Sequence, residues 1–266
     1  MQSILFNNIY ELYEHKKLEE SLNQKIYSRE SNVYIYNGLI YKVFKDFDFE
    51  TISHKEKKIE LLNKTSSIKE LVLPEKKILV NNKFIGYSMQ YIANTKTLYD
   101  SKNIIGTYSK FVETFKKISE VLKKCHSNNI ILSDLSFNNI IIDNNLNIRF
   151  VDLDSAKIND LHSDKVSGLI NRFYKSHGGS IWDSQVSPEI DKLSLILLFI
   201  YMIFDTEIQY VSDLEYNDTI NKLCLSSQML DIIELIKKFE HSKIDLPYIG
   251  DCFIKENGHQ FILNKW

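Results

Sequence analysis

Residues 125–156 read CHSNNIILSDLSFNNIIIDNNLNIRFVDLDSA, and the order of polar and apolar stretches within them decides the fold. Asp134 and Asn139 stand five residues apart, after a helical run and just before an apolar strand. Asp152 follows a second apolar run, Ile148 to Val151. Two short strands joined by the polar turn Asn144-Asn145 would return its carboxylate beside Asn139. Two carboxylates and an amide so gathered form a metal-and-base constellation. Asp and Asn beside apolar runs also serve ordinary turns, whose backbone groups they cap. The spacing therefore takes its weight from the parts that accompany it.

Those parts lie on both sides. Upstream, SNVYIYNGLIYKVFK (31–45) alternates around Asn37-Gly38, the strongest short-range signal for a two-residue hairpin, with Lys42 in the second strand. From about Thr51 to Lys64 the apolar residues Ile52, Ile59 and Leu62 recur at helical spacing. KFIGYSMQYIA (83–93) reads as an apolar strand after the turn Asn81-Asn82. Downstream, a helix starts near Pro188 and carries Asp191 into the apolar run Ile196 to Phe204. Ser3 to Leu22 reads as an amphipathic helix that precedes this core.

Together these motifs resemble the protein-kinase-like superfamily. The resemblance implies an α+β, bilobal protein-kinase-like fold. A small antiparallel-sheet N-lobe with one main helix would span residues 24–93, a larger helical C-lobe 94–266, and an N-terminal helical extension 1–23. It also implies roles. Asp134, with His126 eight residues ahead, accepts the proton of the acceptor hydroxyl, while Asn139 and Asp152 hold magnesium. Lys42, in Tyr41-Lys42-Val43-Phe44, contacts the phosphates of ATP and is oriented by a helix glutamate. Glu56 fits the spacing to Ile59 and Leu61-Leu62, and Glu60 is the alternative; either could instead form a local helical pair with a lysine. Met89 falls in the gatekeeper slot, with the backbone of Gln90 and Ile92 facing the adenine edge. Asp191 resembles the buried aspartate that braces the catalytic loop.

The chain departs from the family at several points. The glycine slots of the phosphate loop hold Ile26, Ser28 and Ser31 before Val33, which leaves the cofactor-facing backbone less conformational freedom. Leu132-Ser133 replaces the His-Arg pair ahead of the catalytic aspartate, and Leu153-Asp154 replaces the Phe-Gly after the metal aspartate. Ser136 stands where most protein Ser/Thr kinases carry lysine, and this loop looks more like bacterial kinase-like domains, including those of class III lanthionine synthetases. Pro188-Glu189 lies too close to Asp191 to be the family's Ala-Pro-Glu motif. Residues 155–188 have little periodicity and read as a mobile activation or substrate segment with Ser163, Ser167, Ser176 and Ser180 in it.

Composition narrows the partners. The 266 residues are 44% hydrophobic and 26% charged, ordinary globular usage with a net charge of −2. Only Arg29, Arg149 and Arg172 are arginines among 33 basic residues, so the planar fork that reads phosphate and guanine is nearly absent and nucleic acid is not an expected partner. Cys125, Cys224 and Cys252 are odd in number and widely spaced, which indicates neither a disulfide framework nor a zinc site. The longest apolar run, Leu193 to Phe204, is core-helix length, so membrane insertion is not expected, and a cytoplasmic, bacterial protein is. The sequence therefore points to an ATP- and Mg2+-dependent protein serine/threonine kinase acting on a protein or peptide hydroxyl. The alternatives are a small-molecule kinase resembling aminoglycoside or choline phosphotransferases, and a nucleotide-binding pseudokinase module.

Overall fold

The structure, a computed structural model, describes residues 1–16, 26–27, 30–45, 48–65, 67–180, 186–223, 227–237 and 246–253. The chain is α+β and divides into two compact units. One comprises Met1–Asn94 with Val151–Asp154; the other comprises Thr95–Phe150 with Ser155–Trp266.

The first unit is built on one sheet and one long helix. Its elements are β1 (Gln2–Phe6), α1 (Ile9–Lys16), β2 (Ile26–Tyr27), β3 (Ser31–Tyr36), β4 (Leu39–Phe44), α2 (Phe49–Thr65), β5 (Pro74–Val80) and β6 (Lys83–Gln90). The strands lie in the order β1-β5-β6-β4-β3-β2. Asn37 (φ 48°) and Gly38 (φ 74°) both adopt the left-handed conformation, which matches the twist of a tight hairpin and fixes the β3–β4 register with Val33 opposite Lys42. Alternation along β4 then sorts the side chains. Tyr41 and Val43 join Phe6, Leu12, Tyr34 and Ile78 in one apolar cluster. Phe44 joins Ile59 of α2, Val72, Phe84, Tyr87 and Met89 in the other, with Val151 packed against it. Gly86 on β6 faces β4 so closely that a Cβ there would collide with the backbone carbonyl of Lys42.

Two expectations need correction here. Ser3 to Leu22 is not one helix ahead of the core: Gln2–Phe6 is a strand, pairing parallel with β5, and Ile9–Lys16 is the helix. The sheet is therefore mixed and not purely antiparallel. The physical reason is local. Asn8 accepts a hydrogen bond from the Glu11 amide (2.8 Å) and Glu11 from the Asn7 amide (2.6 Å), a reciprocal cap that starts the helix at Ile9 and leaves the preceding residues to the edge of β5. Residues 17–22 lie outside the described residues.

The second unit contains β7 (Thr95–Thr97), α3 (Lys102–Ile105), α4 (Tyr108–Ser127), β8 (Ile130–Ile131), β9 (Ile140–Asp143), β10 (Ile148–Phe150), β11 (Lys157–Ile158), α5 (Gly168–Ser176), α6 (Pro188–Phe204), α7 (Asp213–Leu223), α8 (Ser227–Lys237) and α9 (Ile249–Cys252). Its core sits between α4 and α6. Phe111 stacks on Phe199 with 5.1 Å between ring centroids, and Phe115 meets the same ring edge-on. Helix α6 is apolar on nearly every side, as a helix buried all round must be. Thr107 caps α4 by accepting from the Lys110 amide.

Residues 155–180 are more ordered than their weak periodicity predicts. Ser167 caps α5, and Leu169, Ile170 and Phe173 are buried on that helix, which packs on α6. Nine residues give too few turns for a period to stand out in the sequence. Among the described residues no helix is long and apolar enough to cross a membrane.

Candidate functional site

The sequence motifs fall into two sets, one in each unit. In the first unit, period-two alternation puts Lys42 on the same face of β4 as Phe44, where its ammonium forms ion pairs with Asp152 and, at 2.6 Å, with Asp154. Asp154 Oδ2 accepts a second lysine, Lys55 of α2, at 3.1 Å, and Tyr87 Oη donates to Asp154 Oδ1 at 3.0 Å. Lys42 is 4% exposed, and Lys55, Asp154 and Tyr87 are each 1% exposed. Burial opposes the charge on Lys42, yet Asp154 and Asp152 outweigh it and hold the ammonium well above the usual lysine range. Burial likewise opposes the Asp154 carboxylate, and Lys42 and Lys55 together hold it well below the usual carboxylate range. Asp152 is the less enclosed acid, its side chain 29% exposed, and it adopts a left-handed backbone (φ 62°), a strained conformation of the kind that gathers at functional sites.

The expected pairing of Lys42 with Glu56 is not formed. Glu56 and Glu60 both meet Lys77 of β5, at 2.7 and 2.5 Å. One residue along a helix is about 100° of rotation. The turn of α2 that sends Lys55 inward thus sends Glu56 to its flank, and Glu56 lies outside the lysine–aspartate set. Ser31 is buried at the start of β3, and Val33 is buried opposite Lys42. Ser28 lies outside the described residues. Met89 is buried in the Phe44 cluster, which Ile92 packs against, while Gln90 ends β6 exposed.

The second unit holds the loop 132–139. Asp191, fully buried at the start of α6, accepts the amides of Leu132 and Ser133, each at 2.7 Å, and lies 3.0 Å from His126 Nε2; His126 Nδ1 meets Tyr248 Oη at 2.7 Å. With both carboxylate oxygens engaged, the aspartate fixes the backbone just ahead of Asp134. Ser133 is buried with φ 58°, and its hydroxyl lies 2.8 Å from that of Ser163. Ser163 also donates toward Lys165 O, at 2.7 Å. The Asn139 side-chain amide donates to Asp134 O (2.8 Å) and more weakly to Asp134 Oδ2 (3.3 Å). Both donated bonds use nitrogen, which leaves the amide oxygen as a hard donor suited to magnesium, as the Asp152 carboxylate is. Lys165 forms an ion pair with Asp134 at 2.9 Å.

Sequence reasoning missed three of these residues. Asp154 and Lys55 gave no motif of their own, and Asp154 registered only as a replacement for glycine. Lys165 lies in the segment whose order the periodicity hid. A signal for Asp154 existed in the alternation of β4, which commits Lys42 to a buried face where an acid must answer it. No family model matches the chain, and no curated protein is significantly similar to it.

Proposed function

We propose that the chain is an ATP-dependent, magnesium-requiring phosphotransferase of the protein-kinase-like type, acting as a protein serine/threonine kinase. The observation that carries this reading is the pairing of a buried strand lysine, Lys42, with Asp152, 110 residues later. A lysine so held suits nucleotide phosphates, and an acid beside it suits the cation that accompanies them. In this reading Lys42 binds the phosphates, Asn139 and Asp152 offer oxygen ligands to magnesium, and Asp134 orients and deprotonates the acceptor hydroxyl. Magnesium, when bound, would neutralise charge on the phosphates. Asp191 acts on the chemistry only through the backbone of Leu132 and Ser133. Lys165, beside Asp134, would add positive charge near the acceptor.

A small-molecule acceptor is the second reading, favoured by Ser136 in the place of the peptide-kinase lysine. Incubation of the full chain with γ-labelled MgATP, alone and with a panel of peptide, aminoglycoside and choline acceptors, tests both. Label transferred to protein or peptide supports the first reading, and label on a small acceptor alone supports the second. Nucleotide binding without transfer to any acceptor would leave a pseudokinase.

A further inference from the structure

We propose that Asp154, clamped between Lys55 and Lys42, is the positioning residue that sets the Lys42 ammonium for nucleotide phosphates, with the helix supplying a lysine where the family resemblance called for a glutamate. The inference rests on the phosphotransferase reading and deepens it at the same site.

Three observations carry it. First, the two Asp154 oxygens are divided between the lysines: Oδ1 to Lys42 at 2.6 Å and Oδ2 to Lys55 at 3.1 Å. A carboxylate held at both oxygens cannot rotate, so the ammonium it faces is fixed in direction as well as distance. Second, the side chains around the pair are closed. Tyr87 Oη donates to Asp154 Oδ1, and the Phe44 ring lies 5.8 Å from Lys42 Nζ and 5.4 Å from Lys55 Nζ. Glu30 adds a further acid 3.6 Å from Lys55, which leaves that lysine flanked by two carboxylates. Third, the helix glutamates are engaged elsewhere, at Lys77. The charge pattern of the usual strand-lysine and helix-glutamate pair is thereby inverted on the helix and restored by the Asp-Leu-Asp sequence 152–154. The two acids also differ in exposure. Asp152 is partly open, whereas Asp154 is sealed, so Asp154 would hold Lys42 whichever partner Asp152 takes.

The test measures the dissociation constant and the KM of MgATP for the folded full-length chain and four variants, with circular dichroism as the check on folding. Asp154→Asn should raise both constants at least tenfold, and Glu56→Gln should change them less than twofold. The double variant Lys55→Glu with Asp154→Asn, which returns a carboxylate to the helix, should recover to within threefold of wild type. Lys55→Arg, which keeps the cation, should stay within threefold. If Asp154→Asn does not fold, Lys55→Met takes its place, and it should show the same tenfold loss that Lys55→Arg avoids. An Asp154→Asn or Lys55→Met protein that binds within twofold of wild type, or a Glu56→Gln protein as impaired as either, overturns the inference while the phosphotransferase reading stands. Wild type that is folded and binds no MgATP at millimolar concentration overturns both.

Discussion

Asp134 and Asp152 have different surroundings, and the proposed function gives them different loads. Asp134 is bonded by the Asn139 amide and the Lys165 ammonium, whereas Asp152 faces the Lys42 ammonium. Asp134→Asn should therefore lower transfer by 100-fold or more, in line with the roughly 10²–10⁴-fold contribution of a general base, while MgATP affinity changes less than threefold. Asp152→Asn should weaken MgATP binding at least tenfold, about 1.4 kcal/mol. Calorimetric titration of both proteins decides the matter, and equal losses of affinity would refute the division of roles. A residue outside the site offers a different check. Ser88 on β6 is fully buried, and its hydroxyl finds no hydrogen-bond partner among the described residues. A buried hydroxyl without a partner costs desolvation that nothing returns. Ser88→Ala should leave stability unchanged or raise it by up to about 1 kcal/mol, and a urea midpoint that falls would reveal a hydrogen bond to this hydroxyl in the folded protein.

At the scale of elements, the spacing of β4 and β6 depends on Gly86. Because an added Cβ would strike the Lys42 carbonyl, Gly86→Ala must push the strands apart; it should cost about 1–3 kcal/mol, the usual range for overpacking, read as a lower urea midpoint. The segment that holds α5 gives a second prediction. Ser163 and Ser167 are buried and committed, the first to Ser133 and the second to the cap of α5, so a phosphate of −1.5 to −2 charge has no room at either. Peptide mapping of active protein should find neither serine phosphorylated, and a stoichiometric phosphate on one would sink the idea that the Ser133–Ser163 contact orders this segment without modification. These elements also mark how far the sequence could be read. The Asn37-Gly38 hairpin and the Asn144-Asn145 connection were legible because only certain residues tolerate such turns, the long α4 because its length lets a pattern repeat, and α6 because Pro188 opens an apolar run of helix length. Asp191 was legible as a carboxylate at a helix start. The β1 edge strand was not, since five residues carry little period and the Asn8–Glu11 cap that separates it from α1 is easily overlooked. Nor was the choice between Lys55 and Glu56, because apolar periodicity fixes a helix face only to within a residue or so. That one residue reassigned the charge facing Lys42.

For the whole molecule, the first unit is not a continuous piece of chain. Val151–Asp154 belongs to it although the residues on either side belong to the second. Residues 1–94 expressed alone would keep Lys42 and Lys55 but lose both aspartates, along with Val151 from the Phe44 cluster. Removing one side of a buried ion pair costs about 3–5 kcal/mol, a large part of the stability of any domain this size. The fragment should therefore show no cooperative thermal transition, whereas the full chain should melt cooperatively and shift upward with MgATP; ligand at a hundredfold over its dissociation constant adds about 2.7 kcal/mol. A fragment that melts sharply would show the aspartates to be dispensable for folding. The same return of the chain imposes an order on biosynthesis. Lys42 emerges from the ribosome 110 residues ahead of the first acid it meets in the finished protein. At roughly 5–20 residues per second, that is an interval of about 5–20 s in which Lys42 and Lys55 lack both aspartates. The nascent sheet must stay open to solvent around them, and it can close only after the strands of the other unit have been translated.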